Sequence, residues 1–133
     1  MGAGSARPAA SPFLRSWAPV ILLMTVIFAL SAQSDVPMPD NMSDVSAHSL
    51  AYAALAFLIL RALSGGFPAR VTLRAALAAV ALTVAYGVTD EIHQMFVPGR
   101  TAELRDLRSD AVGAVCAVAA CWACGILWVR PDV

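Results

Sequence analysis

Long apolar runs and short polar connections alternate along the chain. Four apolar runs cover about 13–32, 46–63, 71–88 and 111–129. Each is close to the roughly 20 residues that a helix needs to cross the hydrocarbon core of a bilayer. The runs lack the strict apolar–polar alternation of barrel strands, and backbone groups in lipid must pair within their own segment. The pattern therefore predicts four transmembrane helices.

The composition agrees with a membrane solvent. The chain is 59% apolar and 14% charged, which is more apolar surface than one soluble domain of this length can bury. We therefore predict an all-α integral membrane bundle of about four helices. A short cytoplasmic tail, residues 1–12, would precede a single transmembrane domain, residues 13–130.

The arginines predict the orientation in the membrane. Most would lie on one side of the bundle: Arg7, Arg15, Arg61, Arg70, Arg74 and Arg130. The positive-inside bias makes that side cytoplasmic, so we expect a multi-pass protein of the cell membrane with both termini inside. The first run also resembles a signal peptide cleaved after Ser31, although a retained helix is favoured. In either case the 33–43 connection would lie on the outer side of the membrane.

Polar side chains form stripes at the outer ends of three predicted helices. Their members are spaced by four residues, so each stripe lies on one helix face. The stripes are Asp44, His48 and Tyr52; Tyr86, Asp90 and Gln94; and Asp106 and Asp110. The pair Gly113-x-x-x-Ala117 would let a neighbouring helix approach the fourth helix closely. We expect the three stripes to meet at one depth.

The connection after the third helix carries a turn signal. In Val97-Pro98-Gly99-Arg100 the proline and glycine hold the central positions that a type II turn prefers. Such a turn would fold Arg100 back toward the carboxylates. We therefore expect Asp90, Glu91 and Arg100 to form one buried, charge-balanced unit.

These residues supply the candidates for a functional site, because ionisable side chains inside a membrane are costly and mark function by default. General acid and base chemistry would use His48, Asp90 and Glu91. The candidates for ligand binding are Asp44, Tyr52, Gln94, Arg100, Asp106 and Asp110. Structural alternatives are that Asp44 caps the second helix, that Tyr52 packs in the core and that His48 is a neutral core histidine.

The same residues resemble a known family. The pattern resembles that of VanZ-like membrane proteins in two blocks: Ser31-x-Gln33 with Asp44-x-x-x-His48-x-x-x-Tyr52, and Tyr86-Gly87-x-x-Asp90-Glu91-x-x-Gln94-x-Phe96-x-Pro98-Gly99-Arg100 with Asp106 and Asp110-x-x-Gly113. One departure is Val45, where that family commonly has a lysine. The resemblance implies a small bacterial membrane protein of the cell envelope, and the family's namesake is associated with low-level resistance to teicoplanin.

Three kinds of function fit this pattern. A binding cleft would hold an amphiphilic or lipid-linked ligand on Arg100, and an enzyme would hydrolyse or transfer a lipid-linked phosphate or ester. Proton-coupled transport would need a homo-oligomer, because four short helices do not enclose a pathway alone. Binding is preferred, with membrane lipids and the amphiphile as partners and no nucleic acid. Metal binding by Asp44, His48, Asp90, Glu91 and Asp110 is chemically possible, because one histidine with several carboxylates suits a divalent ion. Arg100 would oppose a cation so close to it, so we expect no metal and no cofactor.

Overall fold

The computed structural model describes residues 11–66 and 70–128, and the side chains up to residue 124. They form four helices: α1 (Pro12–Ser31), α2 (Asp44–Leu63), α3 (Leu73–Gln94) and α4 (Leu104–Trp128). No strand occurs within these ranges. The predicted all-α bundle is confirmed, whereas Arg7 and Arg130 and the tail 1–10 lie outside the described residues.

Each of the first three helices begins at a hydroxyl cap. Ser11, Ser43 and Thr72 accept a hydrogen bond from the backbone N–H three residues later, which satisfies an amide that the helix leaves unpaired. In α2 the cap is therefore Ser43. Asp44, for which capping was an alternative, is instead the first helical residue, and its side chain lines a cavity described below.

Two helices are longer than their apolar runs. The third predicted run ended at residue 88, yet α3 continues to Gln94, and α4 begins at Leu104 instead of near 111. The added turns carry polar side chains, but Glu91 and Asp106 are buried between helices. Hydropathy alone ends a helix where apolar residues end, whereas the four-residue spacing of the polar stripes places Gln94 and Asp106 on these helices. The extension predicted by the stripes is confirmed.

All four helices are long and apolar enough to cross a membrane. Large apolar side chains point outward, including Leu22 and Leu77, which are 66% and 62% exposed. The interior holds buried polar groups instead, such as Thr83 and Asp110. This distribution suits lipid, because a soluble protein rarely exposes so much contiguous apolar surface. The chain is a multi-pass membrane protein.

The closest packing in the bundle is between α2 and α4. A Cβ atom on Gly113 would collide with the backbone carbonyl of Ser49, so the two backbones touch where a side chain would hold them apart. The Ser49 hydroxyl also donates to the Ser109 carbonyl oxygen at 3.1 Å. The close approach expected from the Gly113 and Ala117 pair is confirmed at Gly113. In contrast, α1 packs on α2 and α3 and, over the described ranges, makes no contact with α4.

Candidate functional site

The polar side chains meet at one end of the bundle. Successive helices run in opposite directions, so the last turns of α1 and α3 lie beside the first turns of α2 and α4. Three of the four polar residues at the heart of this end are fully or nearly fully buried: Asp90, Gln94 and Asp110, at 4%, 2% and 0% exposure. The fourth is His48, whose side chain is 12% exposed. The predicted convergence of the stripes is confirmed.

Asp90 is the acceptor for donors from three helices. Its Oδ1 accepts from the Ser31 hydroxyl of α1 at 2.6 Å. Its Oδ2 accepts from the Tyr52 hydroxyl of α2 at 3.2 Å and more distantly from Gln94 Nε2 of α3 at 3.4 Å. A buried carboxylate needs such donors, because the bilayer offers no water to replace them. Asp90 thus joins α1, α2 and α3 at the end where the cavity lies.

His48 forms a second centre with two aspartates of α4. His48 Nδ1 lies 2.9 Å from Asp110 Oδ1, within hydrogen-bonding distance. On the other side of the ring, His48 Nε2 is 4.0 Å from Asp106 Oδ2. A histidine that donates from Nδ1 to a carboxylate presents Nε2 as a base. The pair therefore has the geometry of an oriented general base as well as that of a structural link between α2 and α4.

Glu91 follows Asp90 in the sequence, but its side chain points toward α4. Its Oε2 accepts from the backbone N–H of Glu103 at 2.8 Å, just before α4 begins. Its Oε1 is buried and has no hydrogen-bond partner. The same is true of Asp110 Oδ2. Asp106 Oδ1 is also buried without a hydrogen-bond partner and forms an ion pair with Arg105, whose Nε lies 3.5 Å away. The acidic side of the site therefore has fewer donors than acceptors among the described residues.

Arg100 follows the predicted turn but does not pair with the carboxylates. The Arg100 N–H donates to the Val97 carbonyl at 3.1 Å, and Gly99 has a φ of 80°, as a type II turn requires. However, the guanidinium Nε donates to the Gln33 carbonyl at 2.9 Å. Within residues 11–66 and 70–128 it forms no ion pair. The expected unit of Asp90, Glu91 and Arg100 is therefore wrong, because the carbonyl that follows α1 takes the guanidinium.

A cavity of about 140 Å³ opens beside these groups. Its polar lining comes from six of the nine predicted site residues and from Ser31: Asp44, His48, Tyr52, Asp90, Gln94 and Arg100. Its apolar lining includes Ile27 and Leu30 of α1 and Val36 and Met38 of the following connection. Glu91, Asp106 and Asp110 do not line it and lie behind His48, between α3 and α4. The predicted site is thus brought together as two adjoining parts.

Several residues that shape the site or its cavity were not among the predicted site residues. Val36 and Met38 line the cavity although they belong to a connection that carries no periodic pattern. Gly87 lets α4 approach α3, because a Cβ there would lie 3.0 Å from Asp110 Oδ2. The Tyr86 hydroxyl donates to the Met24 carbonyl at 2.6 Å and so tethers α1 to α3. The glycine was visible in the motif, whereas the lining of a cavity by a connection depends on its path in three dimensions.

This arrangement combines an arginine guanidinium, an oriented histidine and an apolar wall. Arg100 can bind a phosphate or carboxylate through its free donors. The wall of Ile27, Leu30, Val36 and Met38 can accept a hydrocarbon segment. Pockets that enclose drug-sized ligands usually measure about 300–1,000 Å³. This cavity, at about 140 Å³, has room for only part of such a molecule.

Comparison with known proteins agrees with the sequence motifs. No curated protein and no solved structure was found to match the chain. A family model described as VanZ/LLP1 does match, over residues 16–128. That range contains all four helices except the first turn of α1, and every residue of the two-part site. The chain therefore belongs to the VanZ/LLP1 family of membrane proteins.

Proposed function

We propose that the protein binds an amphiphilic or lipid-linked ligand in a polar cleft that faces outward from the cell membrane. Both termini would be cytoplasmic, as the arginine distribution predicts. The ligand's phosphate or carboxylate would contact Arg100, and its chain would lie along Ile27 and Leu30 and continue between lipid-facing helices.

The observation that carries this proposal is the position of Arg100. Its guanidinium borders the cavity and, over the described ranges, has no acidic partner. An arginine held at a membrane site by one backbone carbonyl retains donors for an anion. Apolar lining next to it favours an amphiphile over a free ion, because both parts of such a ligand then meet matching surfaces.

A role in the cell envelope follows from this ligand class. Lipid-linked wall precursors carry both a phosphate and a long hydrocarbon chain, and teicoplanin carries an acyl tail. The cavity is smaller than either molecule, so we expect only the polar junction or the tail to enter. Through such a ligand the protein would act in bacterial resistance to teicoplanin-type antibiotics.

The binding experiment uses lipid identification. The protein would be purified in native lipid, and the bound species identified by mass spectrometry. We expect an anionic amphiphile to remain with the wild type, to decrease in Arg100→Lys and to be lost in Arg100→Ala. The matched control is Arg108→Ala, because Arg108 is an exposed arginine near the same end of the bundle. Equal lipid content in all four proteins would reject the proposal.

A membrane-embedded hydrolase or transferase is the second candidate. It is favoured by the 2.9 Å contact between His48 and Asp110, which would orient the ring with its other nitrogen available as a base. The test is conversion of the co-purified ligand by the wild type. Loss of conversion in His48→Gln at equal ligand occupancy would establish the enzyme, whereas unchanged ligand in the presence of wild type would leave binding as the function.

A further inference from the structure

We propose that His48, Glu91 and Asp110 bind a single divalent transition-metal cation behind the ligand cavity. The three residues come from three different helices, α2, α3 and α4. Each offers one ligand atom, and these atoms lie within 4.8 Å of one another. Small movements of side chains would bring all three within bonding distance of one ion.

Unpartnered oxygens are the second observation that points to a cation. Glu91 is 7% exposed and its Oε1 has no hydrogen-bond partner. Asp110 is fully buried, and its Oδ2 also has no hydrogen-bond partner. A buried carboxylate oxygen without a donor costs free energy, because desolvation is not repaid by a hydrogen bond. A cation bound by Glu91 Oε1 would repay that cost for Glu91, and it would do so for Asp110 if that carboxylate binds the ion through both oxygens.

The spacing of His48 and Asp110 is compatible with shared coordination. Their Nδ1 and Oδ1 atoms are 2.9 Å apart. Two neighbouring ligand atoms on an octahedral ion with bonds of about 2.1 Å are about 3.0 Å apart. The present hydrogen bond therefore holds both atoms at the distance that coordination requires, and metal binding would displace the proton between them.

The donor set selects the type of cation. One imidazole nitrogen with two carboxylates suits Mn²⁺, Fe²⁺ or Zn²⁺ better than Ca²⁺, which prefers six to eight oxygen ligands. The objection that Arg100 would repel a cation is weakened, because its Nε donates to the Gln33 carbonyl and it pairs with neither Glu91 nor Asp110. A bound cation would also lower the negative charge that an anionic ligand meets beside Asp44 and Asp90.

Titration with Mn²⁺ alone tests the site without requiring the amphiphile. Purified, chelator-treated protein would be titrated in lipid nanodiscs and followed by electron paramagnetic resonance. We expect one Mn²⁺ per chain with hyperfine coupling to one ¹⁴N nucleus. The chain has two histidines, so the coupling should persist in His93→Asn and disappear in His48→Asn.

Carboxylate variants test the remaining ligands. Glu91→Gln and Asp110→Asn should each weaken Mn²⁺ binding by about tenfold or more. Asp35→Asn, which changes an exposed acid outside the cluster, should leave the affinity unchanged. Size-exclusion profiles would verify folding, and if Asp110→Asn fails to fold, the nitrogen coupling and Glu91→Gln decide. Absence of binding, binding without nitrogen coupling, or equal affinity in wild type and Glu91→Gln would overturn the proposal.

Discussion

At the scale of single residues, Asp90 and Glu91 are neighbours in sequence with different surroundings. Adjacent helical residues point about 100° apart, so one faces α1 and α2 while the other faces α4. Asp90 accepts from Ser31, Tyr52 and Gln94, whereas Glu91 accepts from the Glu103 backbone and keeps one oxygen unpartnered. Asp90 therefore lines the cavity, whereas Glu91 belongs to the acidic group between α3 and α4.

Double-mutant cycles should separate these roles. Ser31→Ala and Asp90→Ala should be coupled by about 0.6 kcal/mol and by no more than about 1.7 kcal/mol, the average and the maximum for interhelical hydrogen bonds in a membrane protein. Glu91→Gln and Arg100→Gln should be additive, because no ion pair joins them. The measurement is the free energy of unfolding in a mixed-micelle system. Strong coupling between Glu91 and Arg100 would show that the guanidinium turns toward the carboxylates in the membrane.

At the scale of elements, the contact between α2 and α4 is the most extensive in the bundle. Gly113→Ala would place a methyl group against the Ser49 carbonyl, and overpacking of this kind costs about 1–3 kcal/mol. We expect that loss in the free energy of unfolding. Val115→Ala is the control on the same helix, because Val115 is 51% exposed and should change stability by about 0.5 kcal/mol or less. Equal effects of the two substitutions would contradict the close approach.

The turn that joins α3 to α4 determines where Arg100 lies. Gly99 has a φ of 80°, which costs alanine about 1–2 kcal/mol and asparagine less. Gly99→Ala should therefore weaken retention of the anionic amphiphile, and Gly99→Asn should retain most of it. Lipid content measured by mass spectrometry at equal protein recovery distinguishes the two. If Gly99→Ala retained as much ligand as the wild type, the turn would not position the arginine.

At the scale of the whole molecule, the four antiparallel helices bring the 32–43 and 95–103 connections to the end that holds the site. Cysteine labelling can assign that end. In a version without Cys116, Cys121 and Cys124, a cysteine at exposed Met38 should react only from outside. A cysteine at Gly65, where a Cβ meets nothing within 4 Å, should react only from the cytoplasm. Reversed labelling would place the cleft on the cytoplasmic face.

The sequence was sufficient for the architecture because lipid imposes few alternatives. Runs of about 20 apolar residues in a bilayer must be helical, so their number and order follow from hydropathy. The position of the site at one end of the bundle also followed, since spacing by four residues places Asp44, His48 and Tyr52 on one face near the start of α2. The turn at Pro98 and Gly99 followed from backbone preference alone.

The partners of each polar group were decided only by tertiary structure. Whether Arg100 meets a carboxylate or the Gln33 carbonyl depends on where α1 ends relative to α3, a distance that no local pattern encodes. The burial of Glu91 and Asp106 against other helices likewise depends on packing, because the four-residue spacing of the stripes places residues on one helix face without naming the neighbour they meet. Local sequence thus determined which residues share a helix face, because helical geometry is periodic. Packing between helices determined which of them touch, because a buried polar group pairs with whichever donor or acceptor the neighbouring helix or connection presents.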